Sequence, residues 1–317
     1  MMHRRGFLPL PILWLATLLG GSAWAGLKKS AQQLESAAYA DPLPAPPGPL
    51  RVFHLGHSLV GRDMPAMLAQ MAGAGHRYES QLGWGTPLRG HWEDNVPIKG
   101  FDTENDHARF RPAMEAVSSG EYDAVVLTEM VELRDAIRYH QSGKYLSLWA
   151  DLARNADPGT RVYLYETWHP TDDPDGWLTR LDDDLEKLWE DRLLAVDLRR
   201  NGGERPVHVI PAGQVMARFV RKVESADGVD NIGSRHDLFA RQENGARDPI
   251  HFNDMGAYLV ALTHYAVLYH ESPVGLPRQL RRADGRAATA PGPEAARLMQ
   301  ETVQEVVTGY AKTGVAA

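Results

Sequence analysis

Apolar residues follow two rhythms along this chain. Short, largely apolar runs at 52–55, 122–127, 161–165 and 207–210 read as buried strands, and 78–82, leading into a Gly-rich turn, is a further candidate strand. Between and after them, apolar positions recur every three or four residues. Met64, Met67, Leu68 and Met71 mark one amphipathic helix, closed by Gly73-Ala74-Gly75. The same spacing predicts helices over 108–117, 145–156, 178–200, 215–223, 253–269 and 294–307, with Asn253 as the N-cap of the helix through Tyr269. Residues 88–105 and 225–247 are polar and Gly- and Asp-rich and read as surface loops. Strand and helix alternate, so the expected fold is α/β: a flavodoxin-like three-layer α/β/α sandwich on a five-stranded parallel sheet, joined by right-handed crossovers.

The ends of the chain differ from this middle. Arg4-Arg5 precede an apolar stretch from Phe7 to Leu19, and Ala23-Trp24-Ala25 comes before Gly26. That order is a signal peptide over 1–25 with an A-x-A cleavage site, and an apolar part too short to span a membrane comfortably. Arg4-Arg5-Gly6-Phe7-Leu8 also resembles the twin-arginine export signal. The expected location is periplasmic or secreted, with no stable membrane insertion after cleavage. Residues 26–50, with five prolines from Pro42 to Pro49, read as an extended lead-in, 51–275 as the main domain, and 276–317 as an extension with one helix. The net charge of −7 disfavours nucleic acid as a partner, and the absence of cysteine leaves stability to the core.

The first strand ends in Gly56-His57-Ser58, which sets a potential nucleophile at the carboxyl edge of the sheet, where open α/β folds bind ligands. Far downstream, Asp248-Pro249-Ile250-His251 supplies a carboxylate and an imidazole on one short turn. Ser58, His251 and Asp248 are together the parts of an activated serine: a nucleophile, its base, and the group that orients the base. Taken singly each has a plainer reading, Ser58 as a helix N-cap, Asp248 as a cap and His251 as an ordinary half-buried histidine. Val60 two residues after Ser58 excludes the G-x-S-x-G elbow. Gly83-Trp84-Gly85 lacks the third glycine of a dinucleotide fingerprint, the acidic turn at 172–176 lacks the ligand spacing of a calcium loop, and the histidines show no metal-ligand spacing. No cofactor and no metal are expected. Glu129, Glu166, Trp168 and His169 all follow strands and are expected to face the pocket, with Trp84 and Trp92 as further aromatic candidates.

This constellation resembles the SGNH, or GDSL-like, hydrolases across roughly residues 51–271. Gly56-His57-Ser58 stands where that family has Gly-Asp-Ser, Gly83-Trp84-Gly85-Thr86 is similar to its second block, and Asp248-x-x-His251 to its last. The third block departs: Leu127-Thr128-Glu129-Met130 holds no Asn, and is nearer to a branch with Leu-Gln-Glu here and a Thr-Trp pair after the fourth strand, matched by Thr167-Trp168. The resemblance implies a serine esterase. Ser58, His251 and Asp248 would be catalytic, and the Ser58 and Gly85 N–H groups would form an oxyanion hole, with the Thr128 hydroxyl as a third donor. Glu129 and Trp168 would bind substrate, with Arg89 or Arg134 neutralising Glu129. Short acyl esters, including O-acetyl groups on a polysaccharide, are the implied substrates; a non-catalytic glycan-binding module and an O-acyltransferase are the alternatives.

Overall fold

The computed structural model describes residues 31–317. The leader expected at 1–25, and residues 26–30 of the lead-in, lie outside them. Five strands form the central sheet: β1 (Arg51–His57), β2 (Arg77–Gly83), β3 (Ala124–Leu127), β4 (Arg161–Glu166) and β5 (His208–Pro211). Their spatial order is β2-β1-β3-β4-β5 and every pairing is parallel, the doubly wound order expected from the sequence. β1 lies between β2 and β3, with Leu55 in register with Gln81 of β2 and Leu127 of β3. β2 ends level with it, His57 facing Gly83, and β3 ends two residues earlier, Leu127 facing Leu55, so the three carboxyl ends share one rim.

Successive strand residues point to opposite faces, which explains the uninterrupted apolar runs. Val52, Val126, Tyr163, Tyr165 and Ile210 pack on one side against the helices Asp63–Ala72, Ala212–Ser225 and Asp254–Tyr269. Phe53, Leu55, Val125, Leu127, Leu164 and Val209 pack on the other against Ala113–Ser118, Ser142–Ala156 and the second half of a long helix. That helix runs from Trp177 to Asn201 with π-type hydrogen bonding over Leu185–Leu194. Every residue of Asp254–Tyr269 is buried. The tail makes that possible, because Ala295, Met299, Val303 and Val307 of the helix Pro293–Gly309 join the same core.

Several expectations are corrected. The lead-in is not extended throughout, since Ala31–Ala38 is helical, and Tyr39 just after it is buried and donates to the Val207 carbonyl (2.7 Å). The helix expected over 108–117 begins only at Ala113. Residues 109–111 instead pair with the edge of β2 through Ser80, and Pro112 cannot extend a helix backwards. The loop at 88–105 contains two short helices, Leu88–Trp92 and Phe101–Asn105, and a further helix at Leu133–His140 has no counterpart among the expected elements. In the irregular stretch, β6 (Phe239–Arg241) and β7 (Arg247–Phe252) form an antiparallel pair. No helix among the described residues is long and apolar enough to cross a membrane.

Candidate active site

β1 delivers Ser58 to the rim of the sheet. The turn after it is closed by Val60 N–H donating to the His57 carbonyl (2.8 Å). Gly56 is required for a steric reason: a Cβ there would lie 2.6 Å from Thr128 Cβ, so only glycine lets β1 and β3 approach at their ends. Two buried imidazoles hold this strand end. Leu59 N–H donates to His57 Nδ1 (3.4 Å), which leaves His57 Nε2–H to donate to the Glu129 carbonyl (2.8 Å). Gln81 donates to His91 Nδ1 (3.0 Å), and His91 Nε2–H donates to the Gly56 carbonyl (2.9 Å). Burial lowers both rings to about 4, so both are neutral near pH 7.

The second component comes from the β6–β7 pair. Phe239 faces Phe252 and Arg241 faces Arg247, so Asp248, Pro249, Ile250 and His251 all lie opposite the single residue Ala240. The four residues bulge out of the hairpin, and the bulge carries the His251 side chain to Ser58. Ser58 Oγ is 2.9 Å from His251 Nε2, and His251 Nδ1 is 2.9 Å from Asp248 Oδ2. The other Asp248 oxygen accepts from the N–H groups of Ile250 and His251, both at 2.9 Å. Burial pushes the Asp248 carboxyl up, but those N–H donors and the imidazole more than offset it and hold it below its ordinary value. Asp248 is therefore a charged acceptor set against Nδ1 of the ring, with Nε2 turned toward the serine.

These groups open on a cavity of about 620 Å³, within the range of small-molecule sites. Its lining brings Ser58, His57, Leu59 and His251 together with Trp84, Gly85 and Glu104, and with Val131, Pro170, Pro249 and Ile250. Gly85 has φ +53°, a left-handed conformation that glycine adopts without strain. Among the described residues no three His, Asp or Glu side chains converge in metal-binding geometry.

Four residues expected at the pocket surface, Thr128, Glu129, Glu166 and Trp168, are buried and do not line the cavity. Thr128 is fully buried beneath Gly56, and its hydroxyl has no hydrogen-bond partner among the described residues. Glu129 is also fully buried, with Oε1 accepting from the N–H groups of Leu88 (3.2 Å) and Met130 (2.8 Å). Neither arginine expected to neutralise it does so: Arg89 pairs with Glu93 and Arg134 with Asp175. Desolvation instead raises Glu129 to about 7. Glu166 is likewise buried against Gln214, and burial raises it to about 8. Trp168 is buried among Tyr165, Phe239 and Phe252, and its Nε1–H donates to the Ile250 carbonyl (2.9 Å). Thr171 N–H donates to the Pro249 carbonyl (2.8 Å). The segment after β4 thus grips the bulge that carries His251. His169 turns away to Asp184 (3.1 Å), and Trp92 packs edge-on against Trp149. The parts that sequence reasoning missed are the grip on the bulge and the contribution of Glu104. Both depend on which loops fold over one another, for which the sequence carries no local signal.

No protein-family model matches the chain, and no curated protein matches it. Among solved structures, it is similar to a DUF4886 family protein from Bacteroides uniformis, with TM-score 0.51 and 17% identity, covering 82% of this chain and 95% of that one. A GDSL-like lipase candidate from Parabacteroides merdae aligns at TM-score 0.41 and 12% identity, covering 70% and 96% of the two chains. A carbohydrate esterase family 2 enzyme with a carbohydrate-binding domain, from Corynascus thermopiles (Myceliophthora fergusii), aligns at TM-score 0.31 and 12% identity over 84% and 68%. The first of these likenesses extends over most of both chains, and what the chain shares with that protein is its α/β/α fold.

Proposed function

We propose that this protein is a serine esterase of the SGNH type acting on short acyl esters. The observation that carries the reading is the hydrogen-bonded order Ser58, His251, Asp248 at the wall of the cavity, with 2.9 Å at both steps. In this mechanism His251 Nε2 takes the Ser58 proton as Oγ attacks the ester carbonyl. The imidazolium so formed is stabilised by Asp248 and returns the proton to the departing alkoxide, releasing the alcohol. Water, deprotonated by the same ring, then cleaves the acyl-serine and frees the acid. The backbone N–H groups of Ser58 and Gly85 are the proposed oxyanion donors, since both residues line the cavity. Thr128 has no part in this reading, because its hydroxyl is sealed beneath β1.

A fluorophosphonate probe tests the nucleophile. It should label the wild-type protein once, on the peptide containing Ser58, and should not label Ser58→Ala; labelling elsewhere, or none, sinks the reading. O-acetyl groups on a polysaccharide are the proposed natural esters, and release of acetate from acetylated glycans is the measurement that decides this. Ala23-Trp24-Ala25 after a short apolar stretch supports export. The exported protein should begin near Gly26 by N-terminal sequencing, and an intact Met1 would refute it.

A further inference from the structure

One wall of the cavity is formed by a tryptophan that the serine chemistry does not use. The Trp84 side chain is large, apolar and 52% exposed. It is nevertheless fixed. Its Nε1–H donates to Glu104 Oε1 (2.7 Å), and its main-chain N–H donates to the Lys99 carbonyl (2.7 Å). Gly100 lies against the indole so closely that a Cβ there would stand 2.3 Å from Cδ2 and 2.4 Å from Cε2. Gly100 also has φ +67°, so glycine is demanded twice over at this position. Glu104 is held in turn, because the neighbouring Asn105 brackets Leu82 of β2, accepting from its N–H (3.0 Å) and donating to its carbonyl (2.8 Å). An indole kept only to fill a loop gains by being buried. This one is backed on one side, tied at its nitrogen, and left half exposed beside Ser58 and Gly85.

We propose that Trp84 and Glu104 form a carbohydrate subsite. The apolar C–H face of a neutral pyranose stacks on the indole, and the Glu104 carboxylate accepts from a hydroxyl at the sugar's rim. A flat ring with an acceptor at its edge matches the two-sided chemistry of a pyranose. It suits a long acyl chain poorly, since that calls for enclosure, and Glu104 disfavours an anionic polymer. Trp84 directly precedes Gly85, so the stacked sugar lies next to the proposed oxyanion site and bears the ester itself or adjoins the unit that does. The inference rests on the esterase reading only for what the bound sugar carries.

The test is binding rather than turnover. The wild-type protein is titrated with xylohexaose, cellohexaose and maltohexaose, none carrying an ester, by tryptophan fluorescence and calorimetry. At least one should bind saturably and perturb the emission. Trp84→Ala should weaken that binding by about tenfold or more. Glu104→Ala, which leaves the indole but removes its tether, should weaken it severalfold. Failure of all three sugars to bind, or unchanged affinity in Trp84→Ala, overturns the subsite. Wild-type protein that binds a sugar through Trp84 but never turns over p-nitrophenyl acetate leaves the subsite standing and removes the esterase.

Discussion

Thr128 Oγ1 is buried without a hydrogen-bond partner among the described residues, under a glycine that has no room for a side chain. A buried, unpaired hydroxyl costs stability, and a methyl of the same shape does not. Thr128→Val should therefore keep kcat and KM on p-nitrophenyl acetate close to wild type and match or exceed its melting temperature. Loss of a working oxyanion donor would instead lower kcat by about 10² to 10³, and such a loss in the Val variant would return Thr128 to the site. The same close approach explains Gly56. The motif Gly56-His57-Ser58 was legible as a strand end bearing a nucleophile. What could not be read was that Gly56 serves the neighbouring strand and that His57 bonds backwards to the Glu129 carbonyl. Both facts depend on how β3 lies beside β1.

At the scale of elements, the four-residue bulge in β7 is what brings Asp248 and His251 to Ser58. Two bonds from the segment after β4 hold its carbonyls, one from Trp168 and one from Thr171. On the proposed serine mechanism Trp168 is thus a positioning residue. Trp168→Phe keeps an aromatic ring against Phe252 and deletes the Nε1–H donor. We expect kcat on p-nitrophenyl acetate to fall by about tenfold with little change in KM, because misplacing a base by a fraction of an ångström slows chemistry more than binding. A rise in KM at constant kcat would make Trp168 a substrate contact after all. Four of the strands were legible because largely apolar runs of strand length leave few alternatives, and the parallel sheet because strands and helices alternate; β2, with Glu79-Ser80-Gln81 at its middle, was marked only by the Gly-rich turn that follows it. The helix at Leu133–His140 was not legible, since only Leu133 and Ala136 are buried on it. The 108–117 boundary was misread because helical spacing outweighed Pro112, whereas the chain there pairs with β2. Trp168 and Glu129 follow strands as expected but are buried rather than facing the pocket, a distinction set by the loops that close over them.

Across the whole molecule, buried titratable groups on the two sides of neutrality pull stability in opposite directions. His57, His91 and His264 are lowered to about 4 by burial. The stability they contribute is full above their ordinary value of 6.5 and is lost as pH falls toward 4. Glu129 is raised from 4.5 to about 7, again by burial. Its folded form holds a proton that the unfolded chain releases, so its contribution is full below 4.5 and is lost as pH rises through 7. The shift corresponds to roughly 3 kcal/mol. Urea unfolding at pH 5 and pH 8 should show Glu129→Gln losing less stability than wild type across that interval, and parallel losses would contradict the burial account. The tail belongs to this same body, since Pro293–Gly309 seals the helix that follows the bulge. A rigid sheet rim thus receives a serine from one end of the chain and a histidine–aspartate pair from the other. The most direct test of that assembly is the kcat of wild type and Ser58→Ala on p-nitrophenyl acetate, measured side by side. The account predicts turnover by the wild type and a loss of about 10⁴ to 10⁶ in the variant; a variant as active as the wild type would contradict it.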